Sequence, residues 1–115
     1  MHNILLTLAA LVALTGAAFA HHGWGSYDAV NPVTVEGPIL TSKFENPHAT
    51  ITVRGKDKVW TVILAPPSRM ITRGALEKLV KVGNTISAYG YPSTAEKDEM
   101  RAERIKTAGK TIEMR

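Results

Sequence analysis

Three histidines that follow an apolar N-terminal segment are the residues best suited to bind a metal ion. They are His21, His22 and His48. If the mature chain begins at His21, its α-amine and its ring nitrogen can chelate one ion, because a metal readily displaces the proton of an amine that titrates at about 7.7–8.0. A nitrogen from another histidine completes a planar set of three, known as a histidine brace. Planar nitrogen ligation suits Cu(II), so the pattern predicts a copper site at these histidines.

Other side chains could complete or mimic such a site. Tyr27, Asp28 or Glu45 could add an axial oxygen, whereas Met70 and Met100 are soft ligands that we expect to be packing residues instead. The histidines also have an alternative interpretation, as a polar mature start and a surface residue in a turn. Spacing alone leaves both interpretations open, because a histidine pair and one distant histidine are a weaker pattern than a dense metal motif.

The start of the chain is typical of a secretory signal peptide. Ile4 to Leu14 is almost entirely apolar, Gly16 follows, and Ala18-Phe19-Ala20 matches the Ala-x-Ala cleavage pattern, although the leading Met1-His2-Asn3 lacks Lys or Arg. We therefore predict a signal peptide at residues 1–20, cleaved after Ala20, and a periplasmic protein without a retained membrane anchor. A retained anchor is the alternative, but an apolar stretch of roughly 17 residues is at the lower edge of spanning length.

Composition restricts the remaining chemistry. The 115 residues include no cysteine, which excludes disulfides and thiolate metal sites. A net charge of +4 mainly favours solubility. We expect the basic residues Arg69, Arg73, Lys78 and Lys81 to form a solvated face.

The elements that must position these residues are mostly strands. Val33 to Phe44 alternates like one long strand, interrupted at Gly37-Pro38 by a bulge or bend. Residues 49–53 predict a second strand that begins just after His48, and residues 59–64 a third, largely apolar and therefore buried strand.

One helical segment separates these strands from the rest. Residues 68–82 carry apolar positions at helical spacing (Ile71, Ala75, Leu79 and Val82). Because Gly74 lies inside this segment, it predicts a first helical turn, a break, and a short helix from about Ala75. Residues 85–91 predict a fourth strand, and residues 100–106 and 110–115 a final hairpin or one kinked strand.

This order predicts a mainly β fold: a small OB-like, five- to six-stranded Greek-key barrel with one short helix between strands three and four. Another small β-sandwich or barrel is the alternative. The predicted organisation is a signal peptide (1–20), an N-terminal arm (21–32) and one barrel domain (33–115).

The sequence also resembles a family of small, uncharacterised bacterial exported proteins. The resemblance lies in His21-His22-Gly23-Trp24, Tyr27-Asp28, Asn46-Pro47-His48, Trp60 and Gly83-Asn84. Family members commonly have serine at the position of Gly23 and an acid at that of Asn84. The resemblance implies export and a mature His-His start, but no established function.

These observations predict a non-enzymatic periplasmic metal-binding protein that acts as a carrier, buffer or assembly helper for copper. Serines without a nucleophile-elbow context and the lack of a glycine-rich phosphate loop argue against catalysis. The alternative is a metal-independent OB-type module that binds a ligand or an envelope protein. We expect no nucleic-acid partner, because the few aromatic residues are scattered. Trp24 and Tyr27 either cover the metal site or pin the arm to the barrel.

Overall fold

The computed structural model describes residues 23–115. The predicted signal peptide, His21 and His22 lie outside the described residues. In chain order the described elements are a 3₁₀ turn (Trp24–Ser26), β1 (Val33–Lys43), β2 (Thr50–Arg54), β3 (Val59–Ile63), α1 (Pro67–Thr72), a second 3₁₀ turn (Glu77–Val80), β4 (Thr85–Pro92), β5 (Glu99–Thr107) and β6 (Lys110–Glu113).

The first five strands close into a barrel, and β6 extends it at one edge. The strands follow the order β3-β2-β1-β4-β5-β6, and an additional parallel pairing of β3 with β5 completes the closure. The other neighbouring pairs are antiparallel. This topology confirms the predicted OB-like barrel with a short helix between strands three and four.

The long first strand bends so that it serves two sides of the barrel. Its first part, Val33–Pro38, pairs with β4, and its second part, Ile39–Lys43, pairs with β2. Gly37 lies at the change of partner, where a Cβ atom would collide with the backbone oxygen of Arg54. The bend predicted at Gly37-Pro38 is therefore present, and it depends on a close backbone approach that only glycine permits.

The core is formed by alternate residues of each strand, since successive side chains point to opposite faces. The predicted inward row of the second strand, Ala49, Ile51 and Val53, is fully buried. In the third strand Val62 is buried, but Val59 is 40% exposed. The prediction that this whole strand is buried was therefore wrong, because its outer face remains at the surface.

The helix lies before the break at Gly74, where only a first turn was predicted, and not after it. Pro67 occupies the first turn of α1, where a missing N–H costs little, and Gly74, with φ 87°, terminates the segment in the left-handed region. Only a 3₁₀ turn follows, so the predicted helix from Ala75 was wrong. Ala75 is still buried, whereas Ile71 and Val82 are more than half exposed. No helix within residues 23–115 is long and apolar enough to span a membrane.

Candidate functional site at the His48 end of the barrel

Strand register brings His48 and Arg101 together at one end of the barrel. Thr50 of β2 pairs with Ile63 of β3, which in turn pairs with Arg101 of β5. Paired residues share a face, and Met100 beside Arg101 is fully buried, so this row faces outward. His48 precedes Thr50 by two positions. Its Nε2 atom lies 3.3 Å from Nη2 of Arg101.

This contact determines the state of the His48 ring. A guanidinium can only donate hydrogen bonds, so Nε2 of His48 is the acceptor and the proton of the neutral ring lies on Nδ1. Partial burial lowers the pKa of His48, and the charges of Arg101 and Arg69 lower it further. The ring is therefore neutral at neutral pH, which is the form that binds metals. The same two positive charges oppose the approach of a cation.

The segment before β1 crosses this end of the barrel and is held to it by backbone bonds. We call residues 23–28 the docked arm. Tyr27 forms a bridge with Ser93, and the N–H of Asp28 donates to the oxygen of Pro92 at 2.8 Å. The N–H of Thr94 donates to the oxygen of Ser26 at 2.9 Å. These bonds fix the path of the arm beside the last residues of β4.

Aromatic side chains add to this attachment. The hydroxyl of Tyr27 donates to Oε2 of Glu99 at 2.9 Å, and burial together with this carboxylate raises the pKa of Tyr27 to about 12. The Trp24 ring packs edge-on against Tyr27 and Tyr91, with centroids 6.3 and 6.0 Å away. Trp24 and Tyr27 thus pin the arm to the barrel, which is one of the two roles considered for them.

Positive charge converges on Trp24. The guanidinium carbon of Arg101 lies 4.1 Å from the centroid of the indole ring, and that of Arg115 lies 4.7 Å from it. Arg69 donates to the backbone oxygen of Met114, next to Arg115, at 3.3 Å, and its charge acts on both His48 and Arg101. Among the described residues, no carboxylate forms a salt bridge with Arg101, and its buried Nε atom has no hydrogen-bond partner. Burial lowers the pKa of Arg101, to which the charges of Arg115 and Arg69 contribute.

The candidate metal ligands among the described residues lie in different environments. His48 lies beside the docked arm, while His21 and His22 are outside the described residues. Met70 and Met100 are completely buried, as expected for packing residues. The carboxylate of Asp28 accepts from the side chain of Asn31 instead of facing His48. Within residues 23–115 no group of three or more His, Cys, Asp or Glu side chains is placed to hold a metal ion.

Sequence reasoning did not identify Arg101 and Arg115 as site residues. Arg101 lies between the buried Met100 and Ala102, and this alternation marks it as outward-facing. The alternation alone does not reveal its neighbours, since those follow from the parallel pairing with β3. The basic side chains predicted to form a solvated face are exposed: Arg69, Arg73, Lys78 and Lys81. Two of them also donate to backbone oxygens of the C-terminal segment, Arg69 at Met114 and Arg73 at Glu113 and Arg115.

A protein-family model matches residues 9–101, a range that includes Trp24, His48 and Arg101. The chain belongs to this family, DUF6152, a family of unknown function. No curated protein matches the chain.

Among solved structures, the chain is similar to a protein chain in the crystal structure of a complex of TiaS with an isoleucine tRNA and ATP. The TM-score is 0.52 and the sequence identity is 18%. The similarity covers 67% of the present chain but only 18% of the other, so it concerns a small part of a longer protein. At this identity it shows the fold alone.

Proposed function

We propose that this DUF6152 protein is exported and, after cleavage behind Ala20, binds a copper ion through His21 and His22 together with His48. It would act as a periplasmic carrier, buffer or assembly helper. The observation that supports this best is the attachment of the arm. Trp24 lies against Arg101, and Arg101 in turn contacts Nε2 of His48.

The reach of the backbone makes a shared site feasible. Two residues of extended chain span at most about 7 Å, so the anchored Trp24 limits how far His22 can be from this end of the barrel. The described residues offer no group of three or more His, Cys, Asp or Glu side chains that could hold a metal ion, so the proposed site takes its other ligands from the N-terminal histidines. The α-amine released by cleavage would supply the additional nitrogen that distinguishes a brace from a loose histidine pair.

The charges around His48 affect how the ion would bind. The neutral ring is ready to ligate, but Arg101 occupies Nε2 as a donor. Copper at Nε2 would have to displace this donor, whereas copper at Nδ1 would require the other tautomer. Either route makes His48 a weaker ligand than the chelating N-terminus. We therefore expect His21 to account for most of the affinity and His48 to complete the site.

Calorimetry on protein exported with its own leader tests this proposal. The protein that begins at His21 should bind one equivalent of Cu(II), and the same chain with an added N-terminal Met should bind at least about tenfold more weakly. His48→Gln should reduce affinity by a smaller factor. Equal copper affinity of the native and Met-extended chains would contradict the brace, and intact mass would verify the cleavage site.

The alternative is a metal-independent OB-type module that binds a ligand or an envelope protein. It is favoured by a groove of about 360 Å³ between the start of β1 and the β2–β3 hairpin, lined in part by Val33, Glu36, Lys56 and Trp60. Pull-down from envelope extracts tests this function. A stable partner recovered equally with and without a chelator, and lost on changing Lys56 and Glu36, would favour it over copper binding.

A further inference from the structure

Three arginines from separate parts of the fold converge beside Trp24 and His48. We define the arginine cluster as Arg69 of α1, Arg101 of β5 and Arg115 after β6. From its geometry we infer that the cluster is a binding site for a phosphate-type oxyanion. The inference goes beyond the proposed copper function and does not rest on it, because none of its residues belongs to the N-terminal histidine pair.

Each guanidinium is held in place before any ligand binds. Arg101 is fixed between the Trp24 ring, at 4.1 Å, and Nε2 of His48, at 3.3 Å. Arg69 and Arg115 are exposed, and each is oriented by contacts within the protein: Arg69 donates to the oxygen of Met114, and Arg115 lies against the Trp24 ring and 3.6 Å from Oε2 of Glu103. Pre-organised donors lose little entropy on binding, so such a cluster is better suited to an anion than mobile surface lysines are.

The charge of the cluster is only partly balanced by the described residues. Arg115 forms a salt bridge with Glu103 at 3.6 Å, whereas Glu99 is engaged by the Tyr27 hydroxyl and no described carboxylate pairs with Arg101. The three arginines instead repel one another, which contributes to the lowered pKa of Arg101. A partly buried guanidinium without an anion is unfavourable, so a bound oxyanion would remove this cost.

The number of donors favours phosphate over carboxylate. A carboxylate has two oxygens and is satisfied by a single bidentate arginine. Inorganic phosphate offers at least three terminal acceptor oxygens and up to two negative charges, and can accept from guanidiniums that approach from different directions. The phosphodiester of a phospholipid headgroup shares part of this chemistry, since it keeps two terminal oxygens, one negative charge and the tetrahedral arrangement.

NMR titration of the metal-free exported protein tests the inference. Sodium phosphate is added at constant ionic strength, so that general screening is held fixed. We expect saturable shifts of the Trp24 indole and His48 ring signals, because both groups contact Arg101. Arg101→Gln should weaken binding by about tenfold or more. Arg104→Gln is the matched control, because it changes an exposed arginine of the same strand that pairs with Glu113.

A second variant and a vesicle assay complete the test. If Arg101→Gln disturbs the fold, Arg115→Gln provides a second test. Arg115 lies outside the barrel strands, and its replacement should also weaken phosphate binding. Co-flotation compares phosphatidylglycerol vesicles with phosphatidylcholine vesicles. Arginine-dependent binding of free phosphate supports a small-anion site, and arginine-dependent binding to phosphatidylglycerol vesicles alone supports a headgroup site. Absence of both, or equal loss with Arg104→Gln, overturns the inference.

Discussion

Both tryptophans of this protein lie against a cationic side chain, but the two sites differ in how the cation is balanced. Lys58 sits 4.0 Å from the centroid of the Trp60 ring, and its ammonium also pairs with Asp98 at 2.8 Å. Arg101 sits at a similar distance from Trp24, yet no described carboxylate pairs with it. Trp60 packs against the barrel core, whereas Trp24 attaches the docked arm.

The difference indicates which site is structural and which is available for binding. At Trp60 the charge, the ring and the carboxylate satisfy one another, so a ligand would have to displace an existing partner. At Trp24 the arginine cluster retains unused donors and surplus positive charge, beside a neutral histidine and the N-terminal arm. A cation–π contact is therefore not by itself a sign of function, while an unbalanced one is informative.

The largest expected effect on stability is at the balanced site. Trp60→Ala removes a large side chain packed against the core and should lower the free energy of unfolding by about 2–3 kcal/mol. Urea denaturation measures this change. Copper and phosphate affinities should be unaffected, and a loss of either would show that the two sites are not separate.

The corresponding change at Trp24 should have a small effect on stability and a clear effect on binding. Trp24→Ala removes contacts of a half-buried arm residue and should cost only about 1 kcal/mol of stability. Because it releases the arm and one side of the Arg101 guanidinium, it should weaken both copper and phosphate binding. Calorimetry beside urea denaturation tests this split. A stability loss equal to that of Trp60→Ala, with binding intact, would refute it.

Attachment of the arm should weaken at alkaline pH, where Tyr27 loses its proton. Its pKa is about 12 in the folded protein and about 10 when unfolded. Between these values the folded state retains a proton that the unfolded state has lost, so the free energy of unfolding must fall as pH rises. Absorbance at about 295 nm monitors the ionisation of the phenol, and denaturation at each pH monitors stability. The Tyr27→Phe variant should lack this part of the fall in the free energy of unfolding with pH. If its stability fell as steeply as that of the unchanged protein, Tyr27 would not be the group responsible.

The smallest effect on stability is expected at the Lys58–Asp98 ion pair beside Trp60. Asp98→Asn removes the charge that balances Lys58 but keeps a residue type that tolerates the left-handed backbone found there, with φ 61°. Exposed ion pairs add little, so the melting temperature should change by no more than about 2 °C. New phosphate binding at Trp60 in this variant would sharpen the comparison, because it would show that an unbalanced cation beside tryptophan is sufficient.

The sequence allowed the barrel to be predicted more fully than the site. Alternation in β1 and β2, and the interruption at Gly37, are local signals, and all three correspond to observed features. The contact of His48 with Arg101 depends on the parallel pairing of β3 with β5, which no local pattern encodes. The break predicted at Gly74 is present, but the α-helix lies before it and only a 3₁₀ turn follows, since the apolar spacing alone does not show on which side of the glycine the regular helix forms.

Copper-induced paramagnetic broadening in the NMR spectrum of the exported protein tests the central claim most directly. The two tryptophan indole N–H signals, assigned by Trp24→Phe and Trp60→Phe, report on the two sites within one sample. One equivalent of Cu(II) is expected to broaden the signals of Trp24 and His48 and to leave that of Trp60 sharp. Broadening centred on Trp60, or a His48 signal that remains unaffected, would contradict the claim.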